Sequence, residues 1–143
     1  MTMTPRPEVE SGGVFSSTLK APFPWFGGKS QVAHLVWERF GNVPNYVEPF
    51  AGSLAVLLAR TTRPGIETVN DKDCHLSNFW RAVQADPEAV ARYANWPVIE
   101  CDVEARRGWV FESEYAAEFC QRMWNDPDYY DVRVAGYWIW GMS

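Results

Sequence analysis

Two short apolar runs, separated by a glycine turn and a helical run, constrain the fold of this chain more than any other feature. Residues 46–50, YVEPF, have the length and composition of a strand, and the AGS sequence at residues 51–53 ends it. A helix-forming run at residues 54–60 follows, and RPG at residues 63–65 breaks it before a second brief strand at residues 66–70. Two strands joined through a helix predict a parallel βαβ unit with a right-handed crossover.

The rest of the sequence favours helices. Apolar residues recur at helical spacing from Ser30, immediately after Lys29, and Gly41 supplies a helix-ending residue. Further helices are predicted at residues 76–84, at a start formed by Asp86 as N-cap and Pro87 as first helical residue, at residues 113–125 and from residue 130 onward. The fold class indicated is α/β with a helical C-terminal half. Residues 1–20, rich in Thr, Pro, Ser and Gly, predict a flexible leader.

The composition indicates a soluble globular protein. An apolar content of 47% suits one domain with a core, and no apolar stretch is long enough to cross a bilayer. The formal net charge of -5 lacks the basic excess of a protein that holds nucleic acid by charge alone. The cysteines have no paired spacing and no secretory signal precedes them, which indicates a reducing, cytoplasmic setting. Cys74 and His75 are adjacent and no zinc-finger spacing occurs, so no metal site is expected.

Gly52 and Asp71 suggest a nucleoside site where the two strands end. A glycine between a strand and a helix exposes backbone N–H groups and lets a ligand approach closely. Asp71 closes the next strand, where a carboxylate can accept hydrogen bonds from both hydroxyls of a ribose. The same spacing serves NAD and S-adenosylmethionine. Asp71 as a turn residue that caps the next helix is an equally good interpretation.

The segment FPWFGGKS at residues 23–30 narrows the choice of ligand, because it precedes the first strand whereas phosphate-binding loops follow it. Trp25 offers an aromatic face, and Lys29 offers a cation for a carboxylate. Gly27 and Gly28 between them allow close approach of the backbone. These features suit a nucleoside that carries an amino acid. The alternative is an aromatic core turn with Lys29 in solvent.

Taken in order, PFPWFGGKS, YVEPFAGSLAVLL and ETVND resemble the adenine-specific DNA methyltransferases related to the DNA adenine methylases. The resemblance runs from residue 22 to residue 80 and more loosely to the end. It implies a Rossmann-like fold that uses S-adenosylmethionine and transfers a methyl group to the exocyclic N6 of adenine in double-stranded DNA, as in restriction-modification systems. The implied mechanism is direct displacement at the methyl carbon, without a metal.

The resemblance also implies which residues bind the cofactor. They are Trp25, Gly27, Gly28, Lys29, Glu48, Phe50, Gly52 and Asp71. Trp25 and Lys29 would contact the methionyl part, the turn after the first strand would lie beneath the cofactor, and Asp71 would hold the ribose. The family's turn reads F-x-G-x-G, and Leu54 stands where its second glycine belongs. This replacement is expected to change how closely a ligand approaches.

The D-P-P-Y motif that carries the chemistry in this family does not occur in the sequence, so no catalytic residue is assigned. The near match at residues 126–129, DPDY, has Asp in place of the second proline and follows a helical run, which indicates a helix start or a turn. We interpret residues 21–94 as the cofactor-binding part and residues 95–143 as a helical segment that begins the target-recognition region. The enzyme is expected to be truncated or split before its catalytic residues, and therefore inactive alone.

Two alternatives remain open. One is a non-catalytic S-adenosylmethionine-binding module that assembles with a separate C-terminal half, and the other is a fragment of a dinucleotide oxidoreductase, which the missing three-glycine fingerprint disfavours.

The C-terminal part raises two smaller questions. Its aromatic stretch at residues 135–143 is expected to continue toward the recognition region, the alternative being a terminal helix docked on the core. Arginines and aromatics that can contact phosphates and bases precede that stretch, although acidic neighbours favour a solvated helical face. They are Arg106, Arg107, Trp109, Arg122 and Arg133.

Overall fold

The computed structural model describes residues 19–62 and 65–142, so most of the predicted leader and the Arg63-Pro64 break lie outside the described residues. In chain order the elements are α1 (Ala33–Phe40), β1 (Asn45–Glu48), α2 (Ala55–Leu58), β2 (Ile66–Val69), α3 (Cys74–Ala85), α4 (Pro87–Ala94), α5 (Glu100–Phe111), α6 (Glu114–Asn125) and α7 (Val132–Trp140). This order confirms the strand, helix, strand unit and the mainly helical sequence beyond it.

β1 and β2 pair in parallel, as predicted for a βαβ unit. The register runs from Asn45 opposite Ile66 to Glu48 opposite Val69. Helix α2 is a single turn, shorter than the run to residue 60 that was predicted. Arg60 leaves the helix, donates to the carbonyl of Val43 at 2.6 Å and pairs with Glu67 at 3.2 Å. These contacts tie the end of the crossover to the segment before β1 and to β2.

Helix α1 packs against the sheet through Trp37. The ring of Trp37 lies on that of Tyr46, and its Nε1 donates to the carbonyl of Val56 at 2.6 Å. The helix begins at Ala33 and not directly after Lys29, because residues 30–32 form a turn and no side chain caps the helix. Gly41 ends it with a φ of 63°, as its position predicted.

Helices α3, α4 and α7 form the larger core. Its fully or nearly buried side chains are Leu76, Phe79, Ala82, Val90, Ala135 and Trp138. Helices α4 and α7 approach so closely that a Cβ added at Gly136 would overlap Tyr93. Phe23 packs on Phe79 and Trp138, which joins the segment before α1 to the helices. Helix α7 is thus docked on the core.

Aspartates begin the helices of this core. The side chains of Asp73, Asp86 and Asp131 accept backbone N–H groups at the starts of α3, α4 and α7. The start at Asp86-Pro87 is confirmed. Asp126 ends α6 and accepts the N–H of Asp128 at 3.0 Å. The turn interpretation of Asp126 is therefore confirmed, and the helix start is wrong because α7 begins later, after the Asp131 cap.

Candidate functional site

The glycine turn after β1 is buried and has an uncommon backbone. Residues 51–54 are all buried, Gly52 has a φ of 52°, and Leu54 has a φ of 55°. Leu54 is the one non-glycine residue with positive φ among residues 19–62 and 65–142. A left-handed conformation costs an ordinary residue roughly 1–3 kcal/mol. The buried Leu54 side chain helps to offset that cost, so the turn keeps a glycine-like backbone without the glycine.

Asp71 closes this turn from β2. Its Oδ2 accepts the N–H of Gly52 at 2.9 Å, and its Oδ1 accepts the N–H of Asp73 at 3.2 Å. The Gly52 N–H, expected to be open to a ligand, is thus bonded within the protein. Asp71 is a turn residue, whereas Asp73 is the cap of α3. A carboxylate has about four acceptor positions, so Asp71 can accept further hydrogen bonds.

The Trp25 segment lies directly on the glycine turn. Gly28 donates its N–H to the carbonyl of Trp25 at 2.8 Å, and Gly27 has a φ of 69°, which together make a tight turn. A Cβ at Gly52 would lie 2.8 Å from Cδ1 of Trp25. The Trp25 ring therefore occupies the space that the missing side chain of Gly52 leaves.

Lys29 is held at the carboxyl end of β1. Its Nζ donates to the carbonyl of Phe50 at 2.7 Å and lies 3.2 Å from Oε1 of Glu48. The Lys29 side chain is 38% exposed, while that of Glu48 is 5% exposed. The ammonium is thus anchored beside the turn and not free in solvent, and it keeps an accessible side.

A cavity of about 400 Å³ opens beside Asp71, between α3 and α6. It is lined by Ala51, Val69, Asn70, Asp71, Lys72, Cys74, Leu76, Ser77, Trp80, Arg81, Gln84, Met123 and Trp124. Trp80 donates from Nε1 to the carbonyl of Gly52 at 3.2 Å, so the cavity wall contacts the turn. Sequence reasoning missed this wall. Its signal was the helical spacing of Ser77, Trp80, Arg81 and Gln84, which places them on one face of α3.

Three of the downstream arginines lie over the protein's own aromatic rings, whereas Arg107 is exposed. The Arg106 guanidinium lies over Trp140 at 4.3 Å and also over Trp96 and Tyr137, and its side chain is only 14% exposed. Arg122 and Arg133 lie over Tyr129 and Trp109 at 3.9 and 4.3 Å. The solvated-face interpretation is therefore wrong for Arg106, which is part of the packing between α5 and α7.

Within residues 19–62 and 65–142, no group of three His, Cys, Asp or Glu side chains comes together as a metal-ion site. In the same part of the chain, no helix has the length and apolar character needed to span a bilayer.

The chain is similar to one known protein family. The family model of the D12 class N6 adenine-specific DNA methyltransferases matches residues 25–104. The chain is a member of this family. No curated protein and no solved structure matches it. The predicted family assignment is confirmed, and the match begins at Trp25 and includes every residue predicted to bind the cofactor.

Membership of the D12 family connects the chain to adenine methylation in DNA and to a methyltransferase fold. Enzymes of this family generally use S-adenosylmethionine. Helices α6 and α7 lie beyond the matched residues, so Met123 and Trp124 of the cavity come from a part of this D12 chain that the family model does not cover.

Proposed function

We propose that the chain binds S-adenosylmethionine where the Trp25 segment, the Gly52 turn and Asp71 meet, and so supplies the cofactor part of an enzyme that methylates N6 of adenine in DNA. The supporting observation is that three segments far apart in sequence converge there. Lys29 bonds to Phe50, Trp25 packs on Gly52, and Gly52 bonds to Asp71. The eight predicted residues belong to these three segments.

The side chains fit the parts of this ligand. Lys29 has three N–H donors and an exposed side, so it can take the ligand's carboxylate. The Trp25 ring offers an apolar wall for the methionyl chain, and Asp71 has acceptor capacity for the ribose. The cavity beside Asp71, which Asp71 alone of the eight predicted residues lines, lies within the volume range of small-molecule sites, about 300–1,000 Å³.

The bound cofactor would supply a methyl group activated by its sulfonium sulfur. The residues of this chain would hold that group in a fixed direction, and such positioning can account for roughly 7–11 kcal/mol of a reaction barrier. Groups that orient the adenine nitrogen would have to come from elsewhere, since Asp126 lies in an exposed turn after α6. We therefore propose that these 143 residues do not transfer methyl groups alone.

Calorimetric titration with S-adenosylhomocysteine, the demethylated product, tests the site. Lys29→Ala and Asp71→Ala should each weaken binding by roughly 1.5–3 kcal/mol, the value of a charge-assisted hydrogen bond. Lys20→Ala and Asp128→Ala are the matched controls, because both residues are exposed and lie outside the three segments. Equal affinity of the unmutated chain and both site variants would remove Lys29 and Asp71 from the site.

A second candidate function is that of a non-catalytic module that assembles with another polypeptide. The sheet supports it, because all four residues of β2 are exposed, Ile66 by 69%, and Val47 of β1 is 58% exposed. Parallel strands are normally covered on both faces. A D-P-P-Y-bearing C-terminal half of a D12 enzyme should therefore bind this face. Co-elution with that half, abolished by Ile66→Lys and kept by Lys20→Ala, would favour assembly.

A further inference from the structure

A chain of polar contacts leads from the sheet to the Lys29 ammonium. The hydroxyl of Tyr46 donates to Oε2 of Glu48 at 3.0 Å, and Oε1 of Glu48 lies 3.2 Å from Nζ of Lys29. Tyr46 and Glu48 are two positions apart in β1, so both side chains point to its buried face. We call Tyr46, Glu48 and Lys29 the Tyr46 relay.

Tyr46 makes the hydrogen bond that orients the buried Glu48 carboxylate. A buried carboxylate is costly unless hydrogen bonds and a countercharge compensate it. Lys29 supplies the charge, but Oε1 has no aligned hydrogen-bond donor within the described part of the chain. The directional contact of Glu48 is the Tyr46 hydroxyl. Burial, and then the Glu48 charge, raise the pKa of Tyr46, so the hydroxyl keeps its proton and remains a donor.

We propose that Tyr46, acting through Glu48, positions the Lys29 ammonium for the carboxylate of an amino-acid-bearing nucleoside. The inference rests on the proposed function, since Lys29 must be the group that takes the carboxylate. Lys29 donates one N–H to Phe50 and its charge lies beside Glu48, so the ammonium keeps donor capacity for the ligand. Tyr46 itself is buried and contacts Glu48, so it would act as a positioning residue through that carboxylate.

The relay predicts that loss of the Tyr46 hydroxyl weakens the binding only of ligands that carry an amino-acid carboxylate. Tyr46→Phe removes the hydroxyl and keeps the ring that packs on Trp37 at 4.9 Å. It should weaken S-adenosylhomocysteine about five- to tenfold, the effect of one lost hydrogen bond. It should leave 5′-methylthioadenosine unchanged, because that thioether nucleoside has no carboxylate. Tyr93→Phe on α4, which packs on Tyr137, is the matched control and should change neither affinity.

A double-mutant cycle with Lys29→Met completes the test. If Tyr46 acts through Lys29, adding Tyr46→Phe to Lys29→Met should cause no further loss of S-adenosylhomocysteine binding. The relay is overturned if Tyr46→Phe weakens both ligands equally, weakens neither, or adds its full effect in the Lys29→Met background. If neither ligand binds the unmutated chain, the proposed function fails and the relay with it. Binding of both ligands with an unselective Tyr46→Phe defect refutes the relay alone.

Discussion

The sheet region, residues 33–62 and 65–69, and the helical region, residues 74–142, are stabilised in different ways. In the helical region, Leu76, Ala82 and Ala135 have no exposed surface, and aspartates cap three of its helices. In the sheet region, β2 is exposed throughout and a buried leucine adopts a left-handed backbone. The helical region therefore has a closed core, to which Phe23 contributes, whereas the sheet region has surface left for a ligand or a partner to cover.

The largest expected effect concerns chemistry. The chain alone should show no measurable transfer of labelled methyl groups to adenine-containing duplex DNA, because about 7–11 kcal/mol of positioning needs groups on both reactants. Adding a D-P-P-Y-bearing half should restore transfer if the sheet face accepts it. Transfer by the chain alone, lost on Asp126→Ala, would instead make residues 126–129 catalytic and contradict the turn seen at Asp126.

A pair of apolar truncations compares the two regions directly. Leu76→Ala should lower the free energy of unfolding by about 2–5 kcal/mol, since it opens a cavity in a closed core. Ile66→Ala should change it by less than about 0.5 kcal/mol, as is usual for exposed side chains. Urea denaturation followed by far-UV circular dichroism measures both. Similar losses in the two variants would show that β2 is covered in solution.

The next effect in size is the stabilisation of the folded chain by a bound ligand. At a hundredfold excess over its dissociation constant, S-adenosylhomocysteine should stabilise the folded chain by about 2.7 kcal/mol. Amide hydrogen exchange by local opening should slow most at Gly52, Leu54 and Asn70, next to the site, and amides that exchange only by global unfolding should slow by the same amount as the global stabilisation. Unchanged local exchange at these three amides in the presence of the ligand would contradict a site at the glycine turn.

Short sequence patterns predicted those parts of the fold that depend on residues close together in the chain. The strands, Gly41 and the Asp86-Pro87 start follow from short patterns, and the structure has all of them. Helix α5 had no such signal, because Ile99 provides no side-chain cap and Gly108 interrupts its helix formers. The boundary between a cofactor-binding part at residues 21–94 and a target-recognition segment at residues 95–143 stays a prediction.

The site was predictable only in part, because some of its contacts join elements that are distant in the sequence. Family motifs indicated the positions of Trp25, Lys29, Gly52 and Asp71, and the structure brings those positions together. The pairing of Gly52 with Asp71 follows from the parallel register of β1 and β2, whereas the wall formed by Trp80 and Trp124 depends on how α3 and α6 pack. Spacing along the chain carries little information about such contacts.

The smallest effect is the response to alkaline pH, for which each region has one tyrosine bonded to a carboxylate. Tyr46 donates to Glu48 in the sheet region, and Tyr115 donates to Asp131, the cap of α7, in the helical region. In both, burial first and the neighbouring carboxylate next raise the pKa of the phenol above its ordinary value near 10. A pKa raised by folding means that the stabilisation is complete below the unfolded value and is lost as pH rises toward the folded value. The free energy of unfolding should therefore fall as pH rises above about 10.

Lysines also titrate there, so the informative quantity is the difference between each Phe variant and the unmutated chain, measured by urea denaturation at pH 8 to 11 in steps of about half a unit. Tyr115→Phe and Tyr46→Phe should each cost stability at pH 8 and make the fall shallower. The stability of the Tyr115→Phe variant could instead fall with pH as steeply as that of the unmutated chain, while that of Tyr46→Phe does not. The α7 cap would then not depend on its tyrosine, and the two regions would differ in this respect too.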